Sequence, residues 1–207
     1  MHDTALEFGE LFFKTYLADT QEPRILDVSS QDVNGSLRRF ATADSTYIGL
    51  DFASGPGVDL ILEDPYSFPV ESGSFDVCLS SSCMEHAEFF WLSILEMFRA
   101  LKPEGLLYLN VPTNGSFHRF PVDCWRFYPD SGEALARWGR RQGYSCRLLE
   151  SFVGQRKDDV WNDFICVFVK DETHIERYQK RIFPKVDSSF NGTMIGREHV
   201  LRHKTDW

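Results

Sequence analysis

Residues 105–111 form an almost unbroken apolar run in which Asn110 is the one amide side chain. A strand can be apolar at consecutive positions only when both of its faces are covered, as in a sheet held between helices. That segment disfavours a sheet with one wet face. Four shorter runs precede it, at 24–28, 46–50, 58–62 and 75–80, and helical patterns fall at 6–17, 36–41, 88–101 and 131–142. In the first of these, Leu6, Phe8, Leu11, Phe12, Phe13, Tyr16 and Leu17 give the apolar stripe of an amphipathic helix. Lys102, Pro103, Glu104 and Gly105 halt the third helix. Strand and helix in alternation predict an α/β fold around a mostly parallel sheet. Residues 144–153 and 160–169 are joined closely enough for a hairpin. The expected sheet therefore has seven strands, one of them antiparallel, with helices on both faces.

The chain has 207 residues, enough for one domain with a full core. The expected organisation is a domain over 1–170, including the N-terminal helix, and an extension over 171–207 that forms a helix or lies as a tail. No run approaches the ~18 apolar residues of a membrane span. The opening residues Met1, His2, Asp3 and Thr4 lack the pattern of a secretory signal. Five cysteines (Cys78, Cys83, Cys124, Cys146 and Cys166) are odd in number and include no CxxC pair. They point to a reducing, cytoplasmic setting and away from disulfides or structural zinc. A net charge of -9 argues against nucleic acid as the partner. The charge is uneven: residues 1–114 carry net -12 and residues 115–207 net +3. A local excess of arginine can hold an anionic ligand, although a solvated helix face is the plainer reading of Arg137, Arg140 and Arg141. The sequence carries no signal for oligomeric state.

In open parallel sheets ligands gather beyond the carboxyl ends of the strands. Asp27 lies at the end of the first strand and leads into a polar loop. Asp51 ends the second, where a carboxylate can accept both hydroxyls of a ribose. Glu63, Asp64 and Pro65 follow the third, where a carboxylate can meet an adenine amino group. After the fourth come Ser80, Ser81, Ser82, Cys83, Met84, Glu85 and His86.

Five signals then agree in order and spacing: Ile25 to Val28, Tyr47 to Asp51, Phe75 to Val77, Glu85 with His86, and Leu101 to Gly105. Together they resemble a class I S-adenosylmethionine-dependent methyltransferase, a Rossmann-like fold, over roughly residues 20–170. Ser30 to Ser36, Gly55 to Asp59 and His118 to Phe127 are further similar to bacterial methyltransferases associated with surface-glycan biosynthesis. One departure stands out. The family's glycine-rich loop after the first strand here reads Ser29, Ser30, Gln31, Asp32, Val33, and Asn34 with Gly35 could supply the tight backbone instead.

The resemblance implies roles for particular residues. Asp27 would hold the methionyl ammonium of S-adenosylmethionine, directly or through water, with the backbone of Ser29 and Ser30 beside it. Asp51 would take the ribose, Phe52 would pack on the adenine, Asp64 would meet the adenine edge, and Ser80 and Ser81 would flank the sulfonium. The plainer readings make Asp27 or Asp64 a helix cap and Phe52 core.

Methyl transfer asks the protein to align an acceptor, exclude water and, for an oxygen or nitrogen of high pKa, supply a base. His118 and His86 are the candidate imidazoles, against a surface histidine in each case. Asp123, Trp125 and Arg126 would form the wall of a pocket for a small-molecule or glycan-linked acceptor, Arg126 holding a phosphate or carboxylate. The alternative has Trp125 and Phe127 anchoring the loop and Arg126 paired to Asp123. His199 and His203 lack a third ligand, so no metal is expected. Two rivals remain: a cofactor-binding protein that has lost transfer, motivated by Ser29 and Gln31, and a nucleotide-dependent oxidoreductase. The second lacks a complete GxGxxG after the first strand.

Overall fold

Side chains alternate across the sheet, and that alternation builds two separate apolar layers. The computed structural model describes residues 2–197 and 199–207, so Met1 of the amino-terminal reading lies outside the described residues. Among the described residues the strands are β1 (Arg24–Val28), β2 (Thr46–Asp51), β3 (Leu60–Ile61), β4 (Phe75–Ser81), β5 (Leu101–Pro112), β6 (Arg147–Gly154), β7 (Asp163–Val169) and β8 (Ser189–Met194). They lie in the order β3-β2-β1-β4-β5-β7-β6-β8. The pairs among β1 to β5 are parallel, and β7 runs antiparallel to β5. On one face Leu26, Cys78, Leu107 and Cys166 pack under α2 (Phe90–Ala100) and α3 (Ser131–Arg141). On the other, Ile25, Val77, Tyr108 and Ile165 meet α1 (Asp3–Phe12) and the π-helical turn Phe13–Leu17 that continues it. Phe12 is fully buried, its ring 4.6 Å from that of Tyr108. Burying such a side chain contributes about 1.5–3 kcal/mol.

The α/β fold with helices on both faces is as expected, but the sheet has an eighth strand. Residues expected as a helix or tail supply β8, which pairs antiparallel to β6. The cause is Glu150, a fully buried carboxylate on β6. It accepts bonds from the Tyr16 hydroxyl at 2.6 Å and from the backbone N–H groups of Ile182 at 2.8 Å and Phe183 at 2.9 Å. A buried carboxylate must be satisfied, and it draws the returning chain onto the sheet. Elsewhere the third strand shrinks to two exposed residues at the sheet edge. Lys102 to Gly105 belong to β5, where a register shift between Phe75 and Val77 absorbs them. The short helix shrinks to a 3₁₀ turn, Leu37–Phe40, capped by the Ser36 side chain. Among the described residues no helix is long and apolar enough to cross a membrane.

Because β1 sits between β2 and β4, the chain leaves it in one direction and returns on its other side. That topological switch opens a crevice at the carboxyl ends of these strands.

Candidate functional site

A cavity of about 660 Å³ occupies the crevice, within the usual range for small-molecule sites. Its first wall comes from the ends of β1 and β2. Ser29 has φ 68, a left-handed conformation that costs a non-glycine residue about 1–3 kcal/mol. It turns the loop so that the N–H groups of Ser29 and Ser30 both donate to the Leu50 carbonyl, at 2.8 and 2.9 Å. Glycines opposite make room for it. A Cβ on Gly49 would lie 2.4 Å from the Ser30 hydroxyl, and one on Gly57 2.7 Å from the Ser30 carbonyl. The close approach that glycines in the loop would provide is supplied here mainly by the neighbouring chain.

Asp51 is almost fully buried yet lines the cavity. Its carboxylate accepts the Gln31 N–H at 3.1 Å and the Ala53 N–H at 3.3 Å. Asp27 also lines the cavity and accepts the Tyr47 hydroxyl at 2.7 Å. Burial pushes its carboxyl up to about 7, against the lowering effect of that hydrogen bond and of Arg38. Phe52 is 54% exposed with its ring open to the cavity, so it is not core. Ser81 lines the cavity, whereas Ser80 turns away and donates to the Val28 carbonyl at 2.9 Å, stitching β4 to β1. Asp64 lies outside the lining. Its carboxylate closes a local turn by accepting the Tyr66 N–H at 2.9 Å. The hydroxyls of Ser30, Ser81 and Ser82 are buried without partners.

The second wall comes from the segment after β4 and the loop after β5. His86 Nδ1 lies 2.5 Å from the Val122 carbonyl. A carbonyl only accepts, so Nδ1 carries the proton and Nε2 keeps its lone pair. Burial lowers the pKa of this imidazole. His118 stands edge-on to it at 4.9 Å between centroids and also packs on Trp161. Both histidines, Trp161 and Glu85 line the cavity.

Asp123, Trp125 and Arg126 do not. Arg126 grips Asp123 through two bonds, of 2.5 and 2.8 Å, and also donates to the carbonyls of Asn114, Ser116 and Trp125. Asp123 is held down to about 2 by that guanidinium and fixes His118 through its backbone N–H at 2.8 Å. The pair braces the loop from behind. Trp125 and Arg126 face a smaller cavity of about 390 Å³ instead. The three groups His86, His118 and Asp123 offer ligand atoms within 4.8 Å of one another. Arg126 lies 3.4 Å from His118 Nδ1, however, and its charge opposes a cation there.

Residues 16–109 match the family model described as a methyltransferase domain. The chain is 30% identical over 162 residues to an uncharacterized methyltransferase of Mycobacterium bovis, a match spanning 70% of this chain and 61% of that relative. In structure it is similar to the 1,6-didemethyltoxoflavin-N1-methyltransferase of Burkholderia thailandensis, solved with 1,6-didemethyltoxoflavin and S-adenosylhomocysteine bound. The TM-score is 0.63 at 14% identity, over 81% of this chain and 79% of that one. The fold is that of the class I methyltransferases. The same class I methyltransferase fold serves a [4+2]-cyclase, SpnF, at TM-score 0.58 and 15% identity over 80% of this chain and 81% of that one. Function therefore rests on the site and not on the fold.

Glu85 and Trp161 line this methyltransferase-fold cavity without having been assigned roles from sequence. Glu85 shares its motif with His86, and the sequence alone does not distinguish their roles. Trp161 lies in a hairpin connection, and only folding brings it opposite β4.

Proposed function

We propose that this chain is an S-adenosylmethionine-dependent methyltransferase acting on oxygen or nitrogen of a small-molecule or glycan-linked acceptor. The carrying observation is the convergence of Asp27, Asp51 and the left-handed Ser29 in one cavity, beside three buried hydroxyls without partners. That donor set fits the cofactor. Asp27 would pair with its ammonium, Asp51 would accept the ribose hydroxyls, Phe52 would cover the adenine, and the free hydroxyls of Ser30 and Ser81 would find polar partners. When bound, S-adenosylmethionine supplies a methyl group already activated by positive sulfur.

The chain's own residues then position the acceptor and take its proton. His118 is the proposed base, held by Asp123 and screened by Trp161, and His86 keeps an unprotonated Nε2 beside it. Five free cysteines fit action in a reducing compartment such as the cytoplasm. The rival in which the cofactor binds without transfer is motivated by Ser29 and Gln31. Against it, Gly49 and Gly57 leave room for Ser30 in the same loop, and a turnover assay separates the two readings.

Thermal unfolding with S-adenosylhomocysteine tests this reading. At one hundred times its Kd the ligand should stabilise the fold by about 2.7 kcal/mol. No shift at saturating ligand, with calorimetry also silent, would overturn the cofactor assignment.

A further inference from the structure

We propose that the acceptor is an amine, seated as an ammonium ion against the Glu85 carboxylate, an inference that rests on the methyltransferase reading above. Glu85 is 2% exposed and lines the cavity. Its Oε2 is buried with no hydrogen-bond partner, and Oε1 has only His86 Nε2 at 3.7 Å. A buried carboxylate is stable when ionised only beside a cation or several donors. Among the described residues, only its own backbone N–H and the charge of Arg126 favour the ionised form. Arg126, the guanidinium whose charge reaches Glu85, is committed to Asp123 and to three carbonyls. Asp163 is fully buried, has one oxygen bonded to Thr4 and the other 3.4 Å from His2 Nε2, and adds negative charge when ionised.

The ligand classes can be ranked by what they would leave unsatisfied. An anion would meet the Glu85 carboxylate, and the arginine in the lining, Arg119, has an exposed side chain that water screens. A neutral hydroxyl offers a single donor. An ammonium offers several N–H donors and a charge, and the aromatic ring of Phe120 in the lining favours a cation further. Burial pushes the Glu85 carboxyl up to about 8, so in the ligand-free chain it holds its proton. An arriving ammonium replaces that proton as its partner. For reaction, one N–H bond of the ammonium then breaks, the proton goes to the His118 imidazole, and the bonding pair stays on nitrogen as the nucleophilic lone pair.

Three probes of one shape decide the point: benzylamine, benzyl alcohol and benzoate, titrated by calorimetry at pH 7 with and without S-adenosylhomocysteine. Benzylamine should bind at least tenfold more tightly than the other two, and its binding should release a proton, seen as a heat that varies with the buffer. Glu85→Gln mimics the protonated resting carboxyl, so it should fold normally, keep its affinity for S-adenosylhomocysteine and lose the preference for the amine. Tighter binding of benzoate, an equal preference in Glu85→Gln, or no binding of benzylamine up to millimolar concentration would overturn the proposal. If the variant fails to fold, proton release by the wild-type chain decides alone, and its absence overturns the seat. Loss of S-adenosylhomocysteine binding in the wild type would count against the cofactor reading instead. The amine preference of the ligand-free chain is read separately from that result.

Discussion

On the wall built by β1 and β2 the carboxylates are already engaged: Asp51 by two backbone N–H groups and Asp27 by a tyrosine hydroxyl. Across the cavity Glu85 keeps a buried oxygen with no hydrogen-bond partner, and Arg126 is locked behind the loop. Both walls belong to one crevice. They differ in how they are held. The first is fixed by parallel strand ends, whose register sets the position of every side chain. The second hangs on a long loop that must be braced by Arg126 and Asp123 before it can present His118. A wall whose carboxylates are already engaged suits a ligand that is the same in every turnover. A wall with an unsatisfied one suits a ligand whose own charge completes it.

Separate damage to the two walls should therefore have separate consequences. The largest effect is expected from His118→Gln, on the acceptor wall. Loss of a general base typically costs 10²–10⁴-fold in rate, so transfer from labelled cofactor should fall by about that factor in kcat. Affinity for S-adenosylhomocysteine should stay unchanged. A fall in affinity in parallel with kcat would mean the walls are not independent.

Asp51→Ala is the matching lesion on the first wall. Charge-assisted bonds of roughly 1.5–3 kcal/mol each, imperfectly additive, put the loss of cofactor affinity at about 2–4 kcal/mol. That is on the order of 30- to 1000-fold by calorimetry. Binding unchanged from wild type would remove Asp51 from the site.

These contrasts also explain what could be read in advance. The positions of Asp27 and Asp51 were legible because a strand end is marked by a change from apolar to polar residues, and sheet geometry does the rest. The direction of Trp125 and Arg126 was not. Both lie in an irregular loop between β5 and α3, where no periodicity tells which side chain faces inward, and the pairing of Arg126 with Asp123 turns it away from the cavity. Ser80 and Ser81 illustrate the same limit within one strand: adjacent residues point to opposite faces, so one lines the cavity and the other braces the sheet. β8 escaped notice because its anchor, Glu150, is a charged residue in a position that only its three hydrogen bonds make tolerable.

A smaller effect is expected from pH. Asp27 holds its proton up to about 7 in the ligand-free chain, yet it must be ionised to pair with an ammonium. Affinity for S-adenosylhomocysteine should thus fall as pH drops below about 7, by up to about tenfold per unit, one proton's worth of linkage. It should level off above. The folded pKa is raised, so the ligand-free chain loses stability as pH climbs from the ordinary carboxylate range through about 7, the unfolded state releasing its proton first. Asp27→Asn should abolish the binding slope and reduce the stability slope. The remainder comes from the other buried carboxyls, Glu85, Glu150 and Asp163, whose pKa values burial also raises. Persistence of the binding slope in that variant would assign it to another group.

The smallest effect should come from Asp64→Ala. Its exposed carboxylate accepts the Tyr66 N–H at 2.9 Å, and its carbonyl accepts the Ser67 N–H at 3.1 Å, so the side chain shapes a turn at the cavity's edge. Pro65 and Tyr66, which follow it, are the residues that reach the lining. Removing the carboxylate should cost about 0.5–1.5 kcal/mol of fold stability, the net value of one hydrogen bond. Cofactor affinity should change by no more than about twofold, because water can still reach the freed N–H. A loss well beyond tenfold would mean that the turn swings inward on binding and brings Asp64 to the adenine edge. The first wall would then be completed by its ligand as well, and the contrast with the acceptor wall would be one of degree.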